Sequence, residues 1–150
     1  MADPTNETGV FGAIFFRQCK NKELFVGAYV GGLTEGSHGF HVHTNAITGG
    51  ACSSAGGHYN PTGVNHSSWD EASRHDGDLQ SLVSTDQNGF TLLEYFDPQA
   101  TLFGSRSILN RGIVVHADAD DLGLGGDSGS LANGNAGSRV ACCTITEVLQ

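Results

Sequence analysis

The chain is poor in cations: 7 lysines and arginines stand against 16 aspartates and glutamates, for a net charge of −9 and a pI near 4.9. A surface of that sign excludes nucleic acid and anionic membrane as partners for the bulk of the molecule. An anionic ligand would have to be drawn in by a local positive charge, a metal ion or an arginine. No C-x-x-C occurs among Cys19, Cys52, Cys142 and Cys143, which argues against a thiolate zinc site and a thioredoxin-type motif. Helix formers never line up at a 3.6-residue spacing for three turns. The first apolar stretch, Val10–Phe16, is too short for a membrane span and lacks the flanks of a signal peptide.

What the chain does hold is 22 glycines, with only 3 prolines, between short apolar runs, the pattern of strands joined by glycine-rich loops. Seven strand candidates can be drawn: Val10–Arg17, Leu24–Gly31, Ser37–His43, Leu79–Ser84, Phe90–Phe96, Gly112–His116 and Arg139–Thr146. The run Asp86-Gln87-Asn88-Gly89 reads as a hairpin turn. Two long segments, Thr44–Asp78 and Ala117–Ser138, have no strand pattern. Long loops in a small domain are usually functional, and both follow a histidine-bearing strand. The expected fold is all-β, a β-sandwich or Greek-key barrel. Residues 1–8 are expected to be a disordered or non-native segment, leaving 9–150 as one domain.

Seven histidines are the second positive feature. Residues i and i+2 of a strand share a side, so His41 and His43 can bind one ion, with His116 from another strand completing the site. Several imidazoles around a metal of tetragonal preference suit copper(II). His66, His75 and Asp78 lie eight, seventeen and twenty residues after His58. Three nitrogens and a carboxylate suit a tetrahedral, structural zinc. His58 could serve both ions, one through each ring nitrogen. His38 has no obvious partner and is read as a surface residue. Asn6-Glu7-Thr8 and Asn65-His66-Ser67 match the glycosylation pattern, the second expected to be unused because it contains a candidate ligand.

The segments His-Gly-Phe-His-Val-His at 38–43, Ser-Ala-Gly-Gly-His-Tyr-Asn-Pro at 54–61, Arg-His-x-Gly-Asp-Leu at 74–79, Val-Val-His-Ala-Asp-Ala-Asp-Asp-Leu-Gly at 114–123 and Gly-Asn-Ala-Gly-Ser-Arg at 134–139 together resemble copper/zinc superoxide dismutase, over roughly residues 9–145. The resemblance implies that family's Greek-key barrel, copper on His41, His43, His58 and His116, and zinc on His58, His66, His75 and Asp78. It implies that Asp120 links His41 to His66, that Arg139 holds the anion beside copper, and that Cys52 and Cys142 form a disulfide. Closing a loop of that length contributes about 4 kcal/mol in the chain-entropy picture. The implied reaction converts superoxide to dioxygen and hydrogen peroxide, with His58 carrying a proton. The other readings are a non-catalytic metal-binding or storage protein on the same fold, a copper chaperone, for which an added paired-cysteine domain is missing, and an adhesion sandwich.

Against the family pattern, four departures stand out. The first strand is expected to be missing or replaced. Asp118, Leu124 and Ala132 stand where channel lysines are usual, and Asn133 where a threonine is, implying weaker steering of the anion. Asn45, Asn110 and Glu147 alter the usual dimer surface, implying a monomer or a different homo-oligomer. Phe11, Phe15, Phe25 and Tyr29 form an apolar outer face, a candidate interface. Cys19 and Cys143 are unassigned, as free thiols or a second disulfide. The Val-His-Ala-Asp run and the Asn6 sequon tilt the compartment slightly toward an extracellular one; the disulfide suits secretion, but the family that the chain resembles keeps it in the cytosol too, which leaves a cytoplasmic reading open.

Overall fold

A computed structural model describes residues 8–84 and 89–148. Eight strands are present among them: β1 (Phe11–Arg17), β2 (Leu24–Gly31), β3 (Gly36–His38), β4 (Phe40–His43), β5 (Leu82–Ser84), β6 (Thr91–Asp97), β7 (Gly112–His116) and β8 (Arg139–Thr144). All are antiparallel, in the orders β1-β2-β6, β3-β5 and β4-β7-β8. The expected all-β architecture is therefore present. The single run expected at Ser37–His43 is two strands. At Gly39 the backbone leaves β5 and turns to the segment around β7, with Gly39 N–H donating to Asp118 O and His116 N–H to Gly39 O. The expected turn at 86–88 and residues 1–7 lie outside the described residues. Both long loops carry short helical pieces that strand patterning did not signal: a 3-10 turn at Cys52–Ala55 and α1 (Ser128–Asn133). The latter is capped by Asp127, whose side chain accepts from Ser130 N–H.

Period-2 alternation decides what each sheet buries. Val26, Ala28 and Val30 of β2 meet Phe40 and Val42 of β4 and Ile113 and Val115 of β7 in one core, with Leu24, Leu82 and Ile108 fully buried beside them. At about 1.5–3 kcal/mol for each large apolar side chain, this core drives folding. The opposite face of β4-β7-β8 carries His41, His43, Val114, His116 and Cys142, and the long loops roof it. Ala55 of the 3-10 turn packs on Val114 and Cys142 there. Cys52 and Cys142 are bonded, with Cα atoms 5.7 Å apart, which ties the loop to β8; Cys19 and Cys143 are free thiols. No helix among the described residues is long and apolar enough to cross a membrane.

Candidate metal centre

The loop after β4 folds back along that strand's outer edge. Tyr59 N–H donates to Val42 O, Val42 N–H to Gly77 O, and Thr44 N–H to Gly57 O. The resulting isolated bridges pair His43 with His58 and His41 with Asp78, so backbone hydrogen bonds alone bring four candidate ligands together. A bulge between Val115 and His116 sets His116 opposite Arg139. Bulges re-aim side chains in this way, and here both residues line one cavity. His66 comes in from the loop, its N–H donating to Leu131 O of α1.

Two sets of groups converge, and they share His58: His41, His43, His58 and His116, then His58, His66, His75 and Asp78. In the first set the outward nitrogens are occupied. His41 Nε2–H donates to Asp120 Oδ2 (2.7 Å), His43 Nδ1–H to Gly56 O (2.8 Å) and His116 Nδ1–H to Gly137 O (3.2 Å). Those tautomers leave the inward nitrogens as lone pairs. His41 Nδ1 and His58 Nε2 are buried without any partner, and His43 Nε2 faces His116 Nε2 at 3.3 Å. Buried acceptors aimed at one another are costly unless a cation lies among them. The donor set therefore fits a metal ion.

In the second set three Nδ1 atoms surround Asp78 Oδ1: His58 at 3.0 Å, His66 at 2.8 Å and His75 at 3.1 Å. His66 Nδ1, although close, lies off the line that a hydrogen bond requires. The outer nitrogens are again engaged, His66 Nε2–H with Asp120 Oδ1 (2.7 Å) and His75 Nε2–H with Val64 O (3.0 Å). Three nitrogens and one oxygen are a tetrahedral zinc donor set. Asp120 joins the two sets, one oxygen on His41 and the other on His66. Gly134 makes room for that link. It caps α1 at φ 67°, and a β-carbon there would overlap Asp120 Oδ1.

Burial, reinforced by neighbouring imidazoles, pushes His41 to about 3 and His43 to about 2, and lowers His58 as well. Burial also takes His116 to about 4. These rings are neutral at physiological pH, the form that binds metal. For His66 burial is outweighed by the hydrogen bond to Asp120 and by the negative charge of the nearby Asp78 carboxylate, which raise it to about 9. Without metal, a proton on His66 takes the place of a cation between two carboxylates that are themselves held ionised by their histidines.

Arg139, partly buried, donates to Cys52 O (2.6 Å) and Gly56 O (2.5 Å). It lines a cavity of about 240 Å³ with His43, His58, His116, Ala132 and Asn133. Among the described residues it is the only cationic side chain in that lining. Two corrections follow. His38 is buried, not on the surface: its Nδ1 is 2.9 Å from His116 O and its Nε2 2.9 Å from Thr34 O. The strand break at Gly39 sets its ring between the Thr34 and His116 carbonyls. Sequence reasoning also missed Arg74, which is fully buried. It donates to Asp97 Oδ1 (2.6 Å) and to the carbonyls of Asp78 (2.7 Å) and His75 (3.2 Å). Its one signal is an arginine directly before a candidate ligand histidine. Arg106 clasps Asp76 close by.

A β-barrel whose outer face carries two histidine-rich metal sets joined by one imidazole defines the class: a binuclear metalloprotein. The family description "Copper/zinc superoxide dismutase (SODC)" matches residues 10–145. The chain is 45% identical over 136 residues to Superoxide dismutase [Cu-Zn] A of Xenopus laevis, covering 91% of this chain and 89% of that protein. It is 45% identical over 141 residues to Extracellular superoxide dismutase [Cu-Zn] of Caenorhabditis elegans, covering 94% of this chain and 63% of that longer protein. The chain belongs to the copper/zinc superoxide dismutase family, and its cofactors are copper and zinc.

Proposed function

We propose that this chain is a working superoxide dismutase, with copper held by His41, His43, His58 and His116 and zinc by His58, His66, His75 and Asp78. The observation that carries the reading is the shared His58, whose Nδ1 faces Asp78 while its Nε2 is buried without a partner towards the other three imidazoles. Copper supplies the one-electron chemistry by cycling between Cu(II) and Cu(I). The protein supplies geometry, charge and protons. Among the described residues Arg139 offers the only positive side chain at the cavity and is fixed by two carbonyls, so it orients an entering superoxide without reorganising. His58 lines that cavity, and its Nε2 is the atom assigned to carry a proton to the reduced oxygen species. Asp120 keeps the His41 and His66 rings in the tautomers that aim lone pairs inward.

The test is the dismutation rate of metal-reconstituted protein, with both metals counted on the same sample. Turnover at about one copper and one zinc per chain is expected, with Arg139→Ile lowering it about ten-fold as the local positive field is lost. Full metal occupancy without turnover would replace the enzyme by a metal-storage protein on the same fold.

A further inference from the structure

The sheet β1-β2-β6 turns its second face outward, away from the core. Register sets Arg17, Phe25 and Phe96 side by side across the three strands, and Phe15 opposite Gly27. The Phe15 ring fills the space a side chain at Gly27 would need and touches Phe25 (6.1 Å between ring centres); Phe25 meets Phe96 edge-on at 5.4 Å. Phe15 and Phe96 are nonetheless 47% and 59% exposed. These rings line a cavity of about 630 Å³ together with Cys19, the two cations Arg17 and Lys22, and a single acid, Glu23. That size and mostly apolar lining fall in the range of small-molecule sites. The cavity shares no residue with the metal centre.

The charge in its lining is unusual for this molecule. Of the seven cationic side chains, the four after Lys22 are engaged internally: Arg74 with Asp97, Arg106 with Asp76, Arg111 over the Tyr59 ring at 3.5 Å, and Arg139 with two carbonyls. Of the other three, Arg17 and Lys22 line this cavity, and Lys20 lies between them in the chain. Among the described residues no hydrogen bond or ion pair engages their side chains. An acidic chain thus gathers its uncommitted positive charge at the end of an aromatic trough.

We propose that this trough binds a small amphipathic carboxylate, its apolar tail along Phe15, Phe25 and Phe96 and its head at Arg17 and Lys22. Octanoate, decanoate and 1-octanol, titrated into the metal-loaded protein by calorimetry and amide NMR, test it. Saturable one-site binding is expected, with shifts at Phe25 and Lys22. Each added methylene tightens it by about two- to four-fold, and octanol binds about five- to ten-fold more weakly than octanoate. The exposed-site double variant Arg17→Gln/Lys22→Gln removes the carboxylate's advantage over the alcohol while the tail dependence stays. Phe96→Ser weakens acid and alcohol alike. Binding that does not distinguish carboxylate from alcohol, or no saturable shift at these amides, overturns the proposal. So does concentration-dependent self-association through this face that decanoate fails to reverse.

Discussion

Replacing Arg74 by methionine keeps most of the buried stem and removes the guanidinium. The perturbation is severe because neither Arg74 nor Asp97 has any solvent-exposed side chain. Breaking a buried pair from one side costs about 3–5 kcal/mol, since it strands the other charge. Asp97 keeps two backbone donors, Gln99 N–H (2.9 Å) and Ala100 N–H (2.8 Å), which places the expected loss near the lower end, about 3 kcal/mol. Urea unfolding of the metal-free protein measures it. Asp97→Asn preserves an acceptor for those donors, so the double variant is expected to cost about 2 kcal/mol less than the sum of the singles. Because the same guanidinium holds the Asp78 and His75 carbonyls, zinc affinity should fall more than copper affinity. A single-variant cost under about 1 kcal/mol, typical of an exposed pair, would refute the reasoning. An unchanged zinc affinity would reduce Arg74 to a strut.

Asp120→Asn retains size but lacks the second anionic acceptor needed by His41 Nε2–H and His66 Nε2–H; zinc affinity is expected to drop about 10–100-fold in chelator competition. Reducing Cys52–Cys142, or Cys142→Ser, should cost roughly 4 kcal/mol in thermal or urea unfolding, because the bond closes a separation of 90 residues; it should also loosen Arg139, which is anchored on Cys52 O. The metal-free fold should weaken in acid. His41, His43 and His116 sit near 3, 2 and 4 against an ordinary 6.5, so below pH 6.5 the unfolded chain takes up protons that the folded one refuses. Each contributes up to about 1.4 kcal/mol per pH unit until its folded value is reached. His66, raised to about 9, acts with the opposite sign: its contribution is complete below 6.5 and lost as pH rises through 9. Urea midpoints of metal-free protein that stay level from pH 7 to pH 5 would contradict this.

The parts legible in the sequence were those governed by local periodicity and by spacing. Short apolar runs bounded by turn residues located β2 and β7 to the residue, and the i, i+2 rule put His41 and His43 on one side of β4. Both helical pieces escaped because each is shorter than two helical turns, below the length at which a 3.6 period shows, and is held by caps and loop contacts. His38 was misread for a related reason. Burial at a strand end depends on what the following loop covers, and the covering carbonyl is that of His116, 78 residues away. Arg74 was overlooked because a fully buried arginine is rare unless paired, and its partner Asp97 lies on β6. The supports of the metal centre are thus less legible than its ligands. A ligand must present a particular atom, which limits the residue types allowed, whereas a support can be any backbone carbonyl that long-range folding brings near: Gly56 under His43, Val64 under His75, Gly137 under His116. Substituting Val64 changes no acceptor chemistry, but Gly56 and Gly137 stand at φ 73° and 77°, and a β-carbon at Gly137 would overlap Asp118 Oδ2, so those two carbonyls depend on glycine for the course of the backbone that aims them at the imidazoles.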